Sequence, residues 1–232
     1  MTKLNAYIFN DREELFQQLE LDILEKLREG ISARGKASML LSGGTTPGPL
    51  YEKLSKRNFD WDKVWFSLTD ERWVDQDHPQ SNEKLIRDTL VKNEAKVARL
   101  IGLKSAEDDV LVGQDATEIK LYEFPLPSDV VLLGMGEDGH IASLFPGLKD
   151  TKTAMDLSNK KLCQAIVREA GEIPRISMTL RAILDTKHIF LLFFGAKKKE
   201  VFERARKIKN PILPVSFLLH QDSVPISLYF AD

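Results

Sequence analysis

Val130-Val131-Leu132-Leu133-Gly134-Met135-Gly136-Glu137-Asp138-Gly139-His140 is the stretch on which the reading of the fold turns. Four consecutive apolar residues, two of them β-branched, do not alternate as a half-wetted strand would, and they are too few for a helix. Such a run suits a parallel strand covered on both faces. It stops at Gly134, and three glycines in the next six residues then deliver an acid and a histidine at the strand's carboxyl end.

The same grammar recurs on either side. Residues 188–194, containing Ile189-Phe190-Leu191-Leu192, read as a second buried strand, ending at Gly195-Ala196-Lys197-Lys198 with a helix expected over 199–207. Towards the amino terminus, Ala37–Leu41 runs into Ser42-Gly43-Gly44-Thr45-Thr46-Pro47, after which Leu50, Tyr51 and Leu54 share one helical face. Val64–Leu68 ends at Thr69-Asp70-Glu71-Arg72, read as a loop, and residues 81–90 follow as a helix with Leu85, Ile86 and Leu90 inward. The chain opens with a short strand over 6–9. Asn10 is the expected cap, with Glu13 three residues on, of a helix carrying Leu15, Phe16, Leu19, Ile23, Leu24 and Leu27, and Gly30 is its expected stop. Residues 226–230 are expected to close the sheet, and 149–161 read as a polar surface excursion.

Strands alternating with helices define an α/β fold, and the continuously apolar strands a mostly parallel sheet with helices on both faces. One domain over 1–232 is expected, because 232 residues suit a single well-buried core and no repeat, linker or composition shift divides them. With 33 Lys+Arg against 35 Asp+Glu the formal charge is −2, so no basic field points to nucleic acid or an anionic membrane. The lone Cys163 builds neither a disulfide nor a multi-cysteine zinc site, and Asn10-Asp11-Arg12-Glu13-Glu14 interrupts any signal-peptide core; a cytoplasmic location is expected. The longest apolar runs are far shorter than the roughly 18 residues a membrane helix needs.

Open α/β sheets bind ligands outside the carboxyl ends of their strands, and four polar or Gly-rich segments follow such ends here. In 42–47, adjacent glycines before a helix can aim backbone N–H groups at an anion, or simply make a tight turn. Neither a P-loop lysine nor the three-glycine dinucleotide spacing is present, so no nucleotide is implied. Asp70 can accept hydrogen bonds or a proton and Arg72 can stabilise developing negative charge; the bland reading is a solvated ion pair. His140 suits a general base with Asp138 as its orienter, against a structural or capping role. Arg175 and one of Lys197, Lys198 and Lys199 supply cations suited to phosphate. His78, His188 and His220 show no metal-ligand spacing, and no metal or other cofactor is expected. The residues by themselves point to an enzyme acting on a small phosphorylated metabolite.

Ser42-Gly43-Gly44-Thr45-Thr46-Pro47, Thr69-Asp70-Glu71-Arg72, the 134–140 segment with Ala142-Ser143-Leu144-Phe145-Pro146, Arg175-Ile176-Ser177-Met178-Thr179 and the terminal Leu228-Tyr229-Phe230-Ala231-Asp232 occur in the order seen in 6-phosphogluconolactonases, which the chain resembles over essentially its whole length. The resemblance implies the family's modified doubly wound, Rossmann-like fold, and cofactor-free hydrolysis of 6-phospho-D-glucono-1,5-lactone to 6-phosphogluconate in the oxidative pentose phosphate pathway. It gives His140 the role of general base and Asp138 that of its orienter. Arg72 and backbone N–H groups would stabilise the oxyanion, and Asp70 would position the ring or the histidine. Gly43, Gly44, Thr45, Arg175 and Lys198 would hold the phosphate, Lys198 being chosen by the Gly-x-x-Lys register from Gly195. Ser81 and Asn82 match a lining pair. Glu71 receives no role. The sister glucosamine-6-phosphate deaminases share Ile141-Ala142, where lactonases more usually carry Thr at 141, but continue Phe-Asn-Glu-Pro where this chain has Ser143-Leu144-Phe145-Pro146. A non-catalytic sugar-phosphate sensor is the remaining alternative, although no DNA-reading segment precedes residue 36.

Overall fold

The computed structural model describes residues 4–232. In chain order the elements are β1 (Leu4–Phe9), α1 (Arg12–Arg34), β2 (Ala37–Leu41), α2 (Gly48–Ser55), β3 (Val64–Leu68), β4 (Asp70–Arg72), α3 (Asn82–Thr89), β5 (Arg99–Ile101), α4 (Val110–Leu121), β6 (Ser128–Leu133), α5 (Lys149–Met155), β7 (Cys163–Ile166), β8 (Arg175–Met178), α6 (Leu180–Leu184), β9 (Thr186–Phe194), α7 (Ala196–Lys207), α8 (Val215–Leu219) and β10 (Ile226–Ala231).

Seven strands form one sheet in the order β1-β10-β9-β6-β2-β3-β5, every neighbouring pair parallel. β2, β6 and β10 are buried at every position, as continuous apolar strands covered on both faces must be. The doubly wound, Rossmann-like α/β class read from the sequence is therefore the observed one. From β2 the chain winds outward through β3 to β5, whereas β6, β9 and β10 lie on the other flank. The order thus reverses between β2 and β6, and an open sheet has its crevice at that reversal. The 42–47 and 134–140 segments leave these two adjacent strands.

The helix after β1 illustrates how local chemistry sets boundaries. Its cap is Asp11 rather than Asn10: the Asp11 carboxylate accepts the Glu14 N–H at 2.9 Å. Gly30 does not stop it. The helix passes through Gly30 to Arg34 and ends on Gly35, which adopts the left-handed conformation at φ 73°. Gly30 is needed for a packing reason, since a Cβ there would lie 2.4 Å from Asp129 Oδ1, a carboxylate that also accepts from Arg34 and Ser38 N. Leu15, Leu19, Ile23 and Leu27 are fully buried, each contributing about 1.5–3 kcal/mol of apolar burial.

Three further boundaries differ from the sequence reading. β10 does not close the sheet, because β1 lies outside it. Residues 149–155 form α5, with Thr151 and Ala154 buried, rather than a surface excursion. Residues 70–72 are not a loop: β4 pairs antiparallel with β8, and β8 with β7, as a separate three-stranded sheet. α4 covers the outer edge of that sheet by an inverted pattern. Its buried side chains include Gln114 and Glu118, which accept the Ala165, Leu162 and Cys163 N–H groups, while Leu111, Val112 and Ile119 face outward. Among the described residues no helix is long and apolar enough to cross a membrane.

His188, near the start of β9, is half-buried with its Nε2 hydrogen-bonded to Ser227 Oγ at 2.9 Å. Burial pushes its imidazole down to about 4, with the charge of Lys26 adding to the effect and Asp22 and Glu29 opposing it. The fold therefore favours the neutral ring. As pH falls below about 6.5 the unfolded chain binds a proton that the folded one refuses until about pH 4, so stability is lost across that window and levels off below it. We expect wild type to lose more Tm than His188→Gln between pH 6.5 and 4.5 in thermal denaturation. Equal losses would remove His188 as a contributor.

Candidate active site

At the reversal between β2 and β6 lies a cavity of about 300 Å³ lined by 42–47, Asp70, Arg72, Asn82, Gly134–Gly136, His140, Ala142, Leu192 and Lys198. Five separate stretches of sequence thus meet in one crevice.

The Gly-rich wall follows from three features. Tyr51, fully buried on α2, donates to the Ser42 carbonyl at 2.7 Å and ties the turn to the helix it precedes. Gly44 is left-handed at φ 87°. Gly43 packs so closely on Asn82 that a Cβ would sit 2.0 Å from Asn82 Oδ1. Asn82 in turn donates through Nδ2 to the Asp70 carbonyl at 2.9 Å, joining this wall to β4.

The opposite wall carries the histidine. Gly136 N donates to the His140 carbonyl and Gly139 N to the Gly136 carbonyl, closing a tight turn with Gly139 at φ 81°. Asp138 Oδ1 accepts from His140 N at 3.1 Å and lies 2.6 Å from His140 Nδ1. Burial works to raise the Asp138 carboxyl, but the hydrogen bond and charge of His140 outweigh it and leave it below the usual carboxylate range. Asp138 is thus ionised at neutral pH and faces His140 Nδ1 as an acceptor, which favours the tautomer protonated there. The Phe145 ring lies 4.6 Å from the imidazole, and the Arg168 guanidinium 4.2 Å from the Phe145 ring.

Asp70, nearly buried, accepts from Ser143 Oγ at 2.6 Å and so is clamped to the histidine loop. Arg72 Nη1 donates to the Gln80 carbonyl at 2.7 Å. Lys198 is in the first turn of α7, which begins three residues earlier than the spacing predicts, while Lys199 lies over the Phe230 ring at 4.9 Å.

Of the residues singled out from sequence, His140, Asp70, Arg72, Gly43, Gly44, Thr45, Asn82 and Lys198 line the crevice. Asp138 stands behind His140. Ser81 is not on the wall: its Oγ accepts the Lys84 N–H as the cap of α3. Arg175 lies opposite Arg72 in the β4–β8 pair, half-buried, with burial and the neighbouring Arg72 charge lowering its affinity for a proton while Asp70 opposes them. Ser42, Met135, Ala142, Leu192 and Ser143 were not singled out; Ser143 and Ala142 lie inside a quoted motif, but Leu192 is an ordinary strand residue with no signal of its own. Among the described residues no group of three or more His, Cys, Asp or Glu side chains could hold a metal ion.

An open, parallel α/β sheet with a Gly-rich turn, cationic side chains and a His–Asp pair gathered at its topological reversal has the arrangement of an enzyme acting on a small molecule. Comparison with known proteins is specific. Residues 10–226 match the model of the family described as glucosamine-6-phosphate isomerases/6-phosphogluconolactonase, and the chain belongs to that family. A 6-phosphogluconolactonase of Rhizobium meliloti strain 1021 is 33% identical over 228 residues, covering 98% of both chains. Another, from Pseudomonas putida, is 35% identical over 95% of this chain and 90% of its own. The crystal structure of a 6-phosphogluconolactonase from Shewanella baltica OS155 superposes with a TM-score of 0.93 at 35% identity, over 100% of this chain and 98% of its own. Within the family the chain stands with the lactonase-type enzymes.

Proposed function

We propose that this protein hydrolyses 6-phospho-D-glucono-1,5-lactone to 6-phosphogluconate, the second step of the oxidative pentose phosphate pathway. The observation that carries the reading is the His140–Asp138 pair, 2.6 Å apart, at the edge of a crevice shared with the Gly43–Gly44 turn, Arg72 and Lys198. His140 Nε2 takes a proton from water as the water oxygen attacks the lactone carbonyl, and Asp138 stabilises the imidazolium. Arg72 and crevice N–H groups face the charge on the tetrahedral oxygen. Collapse breaks the bond from the carbonyl carbon to the ring oxygen, which leaves with the proton held by His140 and becomes a hydroxyl. Asp70, held by Ser143, positions the ring. The turn at 43–45 and Lys198 take the phosphate, and Arg175 adds charge from behind Arg72. No cofactor enters these steps. A phosphorylated lactone does not cross membranes unaided, so the reaction belongs to the cytoplasm.

The sister deaminase reaction is less well supported. Phe145 stands where that branch carries its glutamate and places an apolar ring, not a carboxylate, beside His140, while Ser143 hydrogen-bonds Asp70. The test is formation of 6-phosphogluconate from freshly generated lactone above the spontaneous rate, beside ammonia release from glucosamine 6-phosphate. Acceleration of the first without the second is expected; the reverse would overturn the lactonase reading.

A further inference from the structure

Glu71 lies between Asp70 and Arg72 and is 1% exposed, yet no step of the reaction uses it. A buried carboxylate is costly unless its oxygens are fully engaged. Here they are. Oε1 accepts the main-chain N–H groups of Arg72 and Asn82, both at 2.7 Å; Oε2 accepts the Glu83 N–H at 2.7 Å and the Ser81 hydroxyl at 3.2 Å. Asn82 and Glu83 are the first two residues of α3, and Ser81 Oγ takes the Lys84 N–H, so one carboxylate and one hydroxyl satisfy the opening N–H groups of the helix.

Two of the groups so held belong to crevice residues. Arg72 and Asn82 lie on different elements, separated by a nine-residue connection that includes Gln80, whose carbonyl receives the Arg72 guanidinium. Asn82 also sets how close Gly43 can approach. Any shift of β4 relative to α3 therefore changes the distance between Arg72 and the Gly-rich turn.

We propose that Glu71 is a positioning residue: by gripping Arg72 and Asn82 at their main-chain nitrogens it sets the spacing between the guanidinium and the Gly43 turn, and hence between the reacting carbonyl and the phosphate of one substrate. This rests on the lactonase reading for its substrate, but the geometry is independent of it. An amide in place of the carboxylate keeps one accepting oxygen and turns an NH₂ group toward two donors.

Glu71→Gln is expected to lower kcat/KM on the lactone about 100-fold, the cost of displacing reacting groups by around an ångström. It is also expected to weaken inorganic phosphate binding, measured calorimetrically, about tenfold. The acidic limb of the pH profile should stay where it is in wild type, since the His140–Asp138 pair is untouched. If Glu71 acts through Arg72, then Arg72→Ala costs far less in the Glu71→Gln background than in wild type; equal losses in the two backgrounds would refute this route. Wild-type kcat/KM and phosphate affinity per folded molecule, with only Tm reduced, would make Glu71 a structural residue and overturn the proposal. Should Glu71→Gln be isolated unfolded, Glu71→Asp, which retains an ionised acceptor, runs the same cycle. If folded wild type fails to hydrolyse the lactone, the lactonase reading falls alone and the phosphate measurement decides Glu71.

Discussion

His140→Ala is expected to reduce kcat on 6-phosphogluconolactone about 1,000-fold, within the roughly 10²–10⁴-fold range of a positioned general base and equivalent to about 4 kcal/mol of barrier. The size follows from how completely the ring is committed. Asp138 holds Nδ1 at 2.6 Å and also takes the His140 N–H, so tautomer and orientation are both determined before substrate arrives. On the proposed mechanism, removing the imidazole takes away the acceptor for the water's proton and the donor to the departing ring oxygen. The Gly43 turn and Lys198, proposed to take the phosphate, follow β2 and β9 whereas His140 follows β6, so KM should change little. Steady-state kinetics with the spontaneous rate subtracted, beside a phosphate-binding titration, checks both halves; wild-type turnover in this variant would remove His140 from the mechanism.

Gly136→Ala should also cost much of the activity although it removes no group of the proposed mechanism. A Cβ at 136 would lie 2.2 Å from His140 Nδ1 and 2.6 Å from Asp138 Oδ1, well inside contact distance of the bond that orients the base. Something must move, and the three nearest atoms all belong to the two side chains of the pair. Position 136 is not in the left-handed region, so alanine meets no backbone strain there and slightly restricts the unfolded chain. Fold stability should therefore hold while kcat drops about 100-fold, the penalty for misplacing a reacting group by around an ångström. Kinetics and a melting curve on one preparation decide it: full activity would show that the pair tolerates displacement, and a collapsed Tm would show that the glycine serves the fold instead.

Much of this architecture was legible because its causes are local. Buried parallel strands must be continuously apolar, so 130–133 and 189–192 declare themselves. A strand followed by glycines and a helix says where a ligand can approach backbone. What stayed hidden has non-local causes. α4 was illegible because it buries Gln114 and Glu118 against the N–H groups of a sheet edge and exposes Leu111, Val112 and Ile119, reversing the pattern by which an amphipathic helix is recognised. Residues 70–72 read as a loop because three polar residues show no strand period; their pairing with β8, more than a hundred residues away, is a tertiary event. Ser81 is expected on the wall only from its match to a family pair, whereas its hydroxyl accepts the Lys84 N–H as the cap of α3.

The sequence by itself determined the layered α/β class, the strands that end at the crevice and the Asp-Gly-His spacing from which the base is proposed, since each depends on residue type and spacing along a short stretch. Only the tertiary structure decided that the Gly43 and His140 segments leave adjacent strands at the sheet's reversal, that Ser143 clamps Asp70 and that Glu71 grips Arg72 and Asn82. Those are relations between distant segments, determined by strand order and by the need of each buried polar group for a partner, and no local pattern encodes them.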